Sequence, residues 1–229
     1  MTRVPAELVS VRGLSNHAAC LRLRVTSNRF VWRPGQHVEV STTDEPDHAV
    51  PYSIASRPLP DHPGEFELAI SNRGTDWLDR LNGKTGLLVS EPQGQFIWRP
   101  EPEATLLVGI GTAVAPLRAM LHAALALRAD VPITLLLGAR TETDILFREE
   151  LWGLSRKHPR FQFEPSLTHP SAHWSGLRGR IQQHLLRILH DFTPNVAYVC
   201  GSSEMVRDVL SRLEASSVLT PSQIRYEMG

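Results

Sequence analysis

Along the first 98 residues, apolar and polar side chains alternate in short runs. Leu21 to Val25 puts an apolar residue at every second position, as a strand with one buried face requires. Phe66 to Ile70 repeats the pattern, and His37 to Val40 and Leu87 to Val89 read as two more short strands. Turn residues separate them, among them Arg33-Pro34-Gly35 and Pro92-Gln93-Gly94, and only Asp76 to Leu81 has helical spacing. Such a series predicts an antiparallel β-barrel or sandwich. After residue 104 the rhythm changes to strand and helix in turn. Strands are predicted at 105–108, 132–137, 161–164, 196–200 and 223–227, with helices over Pro116–Arg128, Asp144–Lys157, Arg178–Leu189 and Ser203–Ala215. In the first of these helices Leu117, Met120, Leu121, Ala124 and Leu125 mark one apolar face. Ile133 to Leu137 is almost wholly apolar, which suits a strand covered on both sides. The prediction is a β + α/β chain of two domains. An antiparallel β-barrel over 1–99 is followed by a Rossmann-like, doubly wound parallel sheet of five strands over 104–229. The boundary falls between Trp98 and Glu103, where two prolines stand among charges.

The strand ending at Val108 runs into a turn with Gly109 and Gly111, and Pro116 is expected at the first position of the helix that follows. Backbone N–H groups at a helix start face an anion, and the macrodipole favours negative charge there. Gly109–Ala115, Gly138–Thr143 and Gly201–Ser203 all fall at the carboxyl ends of predicted strands, where open α/β sheets bind ligands. A dinucleotide pyrophosphate is the expected occupant of the Gly111 turn.

Composition narrows the chemistry. Lys+Arg and Asp+Glu both number 24, so no net field calls for nucleic acid or an anionic membrane. No run approaches the ~18 apolar residues of a membrane span, and the first five residues lack the apolar core of a signal peptide, so a cytoplasmic protein is expected. Cys20 and Cys200 are the only cysteines, too few for an iron–sulfur cluster or a four-cysteine zinc site. His169 and His173 have Pro170 between them and no evident third ligand, so no metal site is predicted. Redox chemistry would need an organic cofactor or a partner.

Taken together, the motifs resemble those of the ferredoxin–NADP reductase superfamily over nearly the whole chain. Pro51-Tyr52-Ser53-Ile54-Ala55-Ser56 is similar to that family's flavin-contacting strand, and Gly74-Thr75 with Trp77-Leu78 to its flavin-phosphate loop. Pro92-Gln93-Gly94-Gln95-Phe96 resembles the turn closing its flavin barrel. Gly111-Thr112-Ala113-Val114-Ala115-Pro116 resembles its nicotinamide-nucleotide loop, and Gly138–Leu151 and Cys200–Met205 fit the two later loops. The resemblance implies an NAD(P)H-dependent flavoprotein oxidoreductase carrying FAD, or FMN. It implies flavin contacts from Pro51, Tyr52, Ser53, Ile70, Asn72, Gly74 and Thr75. It implies NAD(P)H contacts from Gly111, Thr112, Ala113, Pro116, Arg140, Cys200, Gly201 and Met205, Arg140 being compatible with either NAD or NADP. The expected catalytic residues are Ser53, Cys200 and Glu227. They would supply a hydroxyl near the flavin nitrogen that receives hydride, a thiol near the nicotinamide, and a carboxylate beside both. For a lone cysteine, buried packing is the alternative. Electrons would pass to an external acceptor: a ferredoxin, an oxygenase component, a haem protein or free flavin.

Two places depart from the family pattern. Val50 stands where an arginine would bind the flavin phosphates. Losing one charge-assisted hydrogen bond of about 1.5–3 kcal/mol weakens flavin binding roughly 10- to 150-fold, unless Arg57, Arg73 or His48 substitutes. Ile110 and Ala113 stand where glycines are usual, and Ala113 suits only a backbone away from positive φ. Two other readings keep the fold: an electron-transfer subunit of a larger redox complex, and a non-catalytic nucleotide-binding regulator.

Overall fold

The computed structural model describes residues 3–26, 30–71, 86–100, 103–127 and 130–229. The first of two sheets is antiparallel, with strand order β4-β3-β6-β1-β2-β5. Its strands are β1 (Arg3–Ser15), β2 (Ala18–Arg24), β3 (His37–Thr42), β4 (Val50–Ser53), β5 (Glu65–Ser71) and β6 (Leu87–Ser90). A bridge from Ile54 to Leu68 joins the two ends of this order, so the sheet curls into a barrel without a continuous closing ladder. Alternate side chains such as Leu21, Leu23, Phe66, Leu68 and Ile70 fill its interior. The long strand β1 has no clean alternation to announce it. Register shifts between Leu8 and Ser10 and between Gly13 and Ser15 break the period, and it changes partner from β6 to β2 along its length.

The second sheet is parallel, in the order β10-β9-β8-β7-β11-β12. It contains β7 (Thr105–Ile110), β8 (Ile133–Ala139), β9 (Phe161–Leu167), β10 (Leu177–Arg178), β11 (Val196–Gly201) and β12 (Ile224–Met228). Six strands replace the expected five because two-residue β10, which pairs with Ser166 and Leu167, is too short to leave a pattern. The helices are α1 (Val114–Leu127), α2 (Arg148–Lys157), α3 (Leu185–Asp191) and α4 (Ser203–Ser216). Arg178 is thus a strand residue, and a 3-10 turn over Ile181–His184 leads into α3. Pro116 is the third residue of α1, not the first, because the 3-10 turn Gly111–Ala113 runs directly into the helix. It still falls in the first turn of α1, where the Val114 backbone N–H donates back to the Gly111 and Thr112 carbonyls. The short helix expected at Asp76–Leu81 lies outside the described residues.

Helix α1 is buried on all sides from Val114 to Leu121, not along one stripe. Its Leu117, Met120 and Leu121 share one core with Leu107, Leu135 and Tyr198 of the parallel sheet and with Ala18, Cys20, Ala55 and Ala69 of the barrel. A second core lies on the opposite face of the parallel sheet, under α3 and α4. Among the described residues no helix is long and apolar enough to cross a membrane. Leu136 is fully buried in that second core. Leu136→Ala should cost about 2–5 kcal/mol in urea unfolding, and a cost well below that range would contradict this packing.

Candidate active site between the two sheets

A cavity of about 1010 Å³ opens between the barrel and the carboxyl ends of the parallel strands. That is large for a small-molecule site and sufficient for a dinucleotide. The barrel contributes Pro51, Tyr52 and Ser53 from β4; the other wall carries Gly111, Thr112, Ala113, Arg140, Cys200, Gly201, Met205 and Glu227. Two of the expected residues lie elsewhere. Ile70 is wholly buried inside the barrel, and by strand alternation its neighbours Ala69 and Ser71 line the cavity instead. Pro116 is buried in α1 behind the turn. Asn72, Gly74 and Thr75 lie outside the described residues.

The Gly111 turn faces the cavity. Gly111 has φ +54°, and a Cβ there would meet nothing within 4 Å. Backbone conformation, not crowding, therefore calls for glycine, and the space in front of it is open. Among the described residues only Phe147 and Ser217 combine a side chain with positive φ, so Ala113 sits in ordinary backbone. Ile110 is accommodated by two glycines: a Cβ on Gly138 or on Gly201 would stand 2.9 Å from its side chain. No acidic residue occupies the first turn of α1, so no carboxylate of that turn competes for the positive end of its dipole.

Beside the turn, on the same wall, Cys200 and Glu227 are register partners on β11 and β12. Burial pushes the Cys200 thiol up to about 12, and the charge of Glu227 adds to the rise. The thiol is therefore protonated at neutral pH and offers a neutral, polarisable contact rather than a nucleophile. Burial likewise raises the Glu227 carboxyl and the Tyr52 hydroxyl. Sequence reasoning missed His37, which lines the cavity and pairs in register with Ser53. It also missed the wall at Gly179, where φ is +102° and the Ser166 hydroxyl donates to the Gly179 carbonyl at 2.8 Å. The run Ser175-Gly176-Leu177-Arg178-Gly179-Arg180 was the available signal for that wall. Of the substitutes for the missing arginine, neither Arg57 nor His48 lines the cavity, and Arg73 lies outside the described residues. An aromatic face and hydroxyls on one wall, with an open glycine turn on the other, fit a flavin and a nicotinamide nucleotide.

Comparison with known proteins agrees. Residues 107–211 match the oxidoreductase NAD-binding domain family. Ferredoxin–NADP reductase B of Sorangium cellulosum (strain So ce56) is 35% identical over 216 residues, covering 88% of this chain and 87% of that protein. The ferredoxin–NAD(P)+ reductase component of the naphthalene 1,2-dioxygenase system of Pseudomonas putida is 27% identical, and the match spans 89% of this chain but only 62% of that protein. The ferredoxin reductase of carbazole 1,9a-dioxygenase shares the fold with a TM-score of 0.82 at 23% identity, over 99% of this chain and 69% of that one. Fold and cleft define a two-sheet flavoprotein reductase. The chain belongs to the ferredoxin–NADP reductase superfamily, as an NAD(P)H-dependent flavoprotein oxidoreductase with a flavin and NAD(P)H as its cofactors.

The raised Glu227 carboxyl has a consequence for stability. Its folded-state pKa lies above the unfolded one, so the folded chain holds this proton more tightly. Stability is then lost as pH rises from the ordinary carboxylate range through the raised value. Glu227→Gln should raise the melting temperature relative to the parent protein at pH 8 and leave it little changed at pH 4. An equal shift at both pH values would contradict a buried, ionisable Glu227.

Proposed function

We propose that the flavin ring lies against β4 and the nicotinamide against the ends of β7, β11 and β12, with residues 1–99 as the flavin-binding domain and 104–229 as the nucleotide-binding domain. The observation that carries this reading is the convergence of Tyr52, Ser53, the Gly111 turn, Cys200 and Glu227 on one cavity. Bound there, the flavin supplies the acceptor for hydride from NAD(P)H and the store from which electrons leave. Tyr52 would pack its ring beside the flavin, and Ser53 would offer its hydroxyl to the ring as a hydrogen-bond donor. N–H groups of Gly111, Thr112 and Ala113 would hold the pyrophosphate. Cys200 and Met205 would flank the nicotinamide and exclude water, and the Glu227 carboxyl, shifted toward its neutral form by burial, would lie beside them.

The acceptor is an external protein, a ferredoxin or an oxygenase component. The chain has two cysteines, both free and buried, which leaves no thiolate set for a cluster and supports a reducing cytoplasmic setting. The name of the Pseudomonas putida relative, a ferredoxin reductase of a dioxygenase system, supports the same acceptor class.

Purified protein should be yellow, or become so with FAD or FMN, and NADH or NADPH should bleach it without oxygen. Protein that binds neither flavin, or that stays yellow with both nucleotides, would overturn the reading. Ser53→Ala should slow bleaching roughly 2- to 13-fold at unchanged flavin content, the loss of one hydrogen bond of about 0.5–1.5 kcal/mol. Val50→Arg should tighten flavin binding roughly 10- to 150-fold in a fluorescence titration; no change would show that the phosphates lie elsewhere.

A further inference from the structure

Among the described residues Arg118 is the one buried cation, 7% exposed, and it lies outside the lining of the cavity. Its guanidinium joins three elements. Nη1 donates to the Ala55 carbonyl at 2.7 Å and to Glu67 Oε2 at 2.8 Å, both on the barrel. Nε and Nη2 donate to the two carboxylate oxygens of Glu150 on α2, at 2.6 and 3.0 Å. The guanidinium carbon stands 4.4 Å from the centre of the Phe147 ring, and that of Arg12 on β1 stands 5.7 Å from the same ring. Phe147 itself holds φ +56°, an unfavourable backbone for an aromatic residue, immediately before α2. Burial pushes the Glu150 carboxyl up, but hydrogen bonds from His122 and Arg118 outweigh it and hold the group at about 2. Glu67, also raised by burial, is held below the ordinary range by Arg118 and Arg22.

A buried charge cluster of this kind is weak evidence for stability, because desolvation offsets most of its attraction. Direction is what it does fix, since a guanidinium fork shared by two carboxylates and a carbonyl admits one orientation. The cluster sits close to both walls of the cleft. Arg118 is one helical turn from Ala115, which lines the cavity, about 4.5 Å along the axis. Glu67 is two residues from Ala69 on the same face of β5, about 7 Å from the opposite lining.

We propose that Arg118 is a positioning residue for hydride transfer: it sets the spacing between the flavin wall and the nucleotide turn by clamping α1 to β5 and α2. This rests on the ligand placement proposed above. The test compares Arg118→Met, Arg118→Lys and Glu150→Gln with the parent protein. The control is Arg22→Met, which removes the solvent-side partner of Glu67, 2.9 Å away. Three readouts are taken: calorimetric affinity for NAD+ and NADP+, the long-wavelength absorption of stacked rings on adding NADH or NADPH, and the rate of flavin bleaching.

Misplacement of the rings by about 1 Å predicts a rate loss of roughly 10- to 100-fold in Arg118→Met, with nucleotide affinity kept within about threefold and the long-wavelength band weakened. Arg118→Lys should rescue little, because one ammonium cannot bridge both carboxylates. Glu150→Gln should show a smaller loss of the same kind, and Arg22→Met none. The proposal is overturned if folded Arg118→Met keeps band and rate, or if rate falls only in proportion to nucleotide affinity. Should Arg118→Met fail to fold, an unaltered band and rate in Glu150→Gln overturn it equally. Parent protein that NADH and NADPH both fail to bleach would instead refute the ligand placement itself.

Discussion

Helix α1 has no solvent face along its first two turns, and the rest of the molecule is arranged around that burial. One side must satisfy the parallel sheet and the other the barrel, so the two sheets cannot shift without opening the core between them. A helix buried all round needs apolar residues on every side, and Leu117, Ala119, Met120 and Leu121 provide them. Arg118 is the exception, and it is tolerated because every direction it points is answered by a carboxylate, a carbonyl or a ring. The same helix presents its start to the cavity, so the cavity lining and the inter-sheet contact share one element.

Burial also decides the electrostatics of the cleft. Cys200, Glu227 and Tyr52 are all displaced toward their neutral forms, and desolvation is the leading cause for each. The Arg118 cluster lies outside the cavity, while the walls carry Arg140, Asp144, Arg180 and Glu204 beside hydroxyls and a thiol. Such a cleft suits transfer of a hydride between two rings that exclude water.

Much of this was legible in the chain. Alternation marked β2 and β5, short apolar runs beside turn residues marked β3 and β6, and the strand–helix rhythm marked the parallel sheet, because such patterns report on which side chains face a core. What escaped depends on partners that local pattern does not name. Helical spacing marked one apolar face of α1 and gave no role to Arg118, since periodicity knows nothing of a barrel covering the other side. The lining role of His37 follows from its register with Ser53, which only the folded sheet specifies. Strand β1 hides behind its bulges and β10 behind its length. The misplacement of Ile70 is different in kind. Phe66, Leu68 and Ile70 share one parity, so their burial already implied that Ala69 and Ser71 face outward.

Hydride transfer across this cleft is tested most directly with NADH and NADPH deuterated at C4 on one face or the other, mixed without oxygen with the flavin-loaded protein. A nicotinamide held flat against the flavin wall presents a single face. One stereoisomer should therefore slow the bleaching by a primary isotope effect, and the other should not. Equal rates for both stereoisomers and the undeuterated nucleotide, with bleaching itself being followed, would contradict a fixed stack between the barrel and the Gly111 turn.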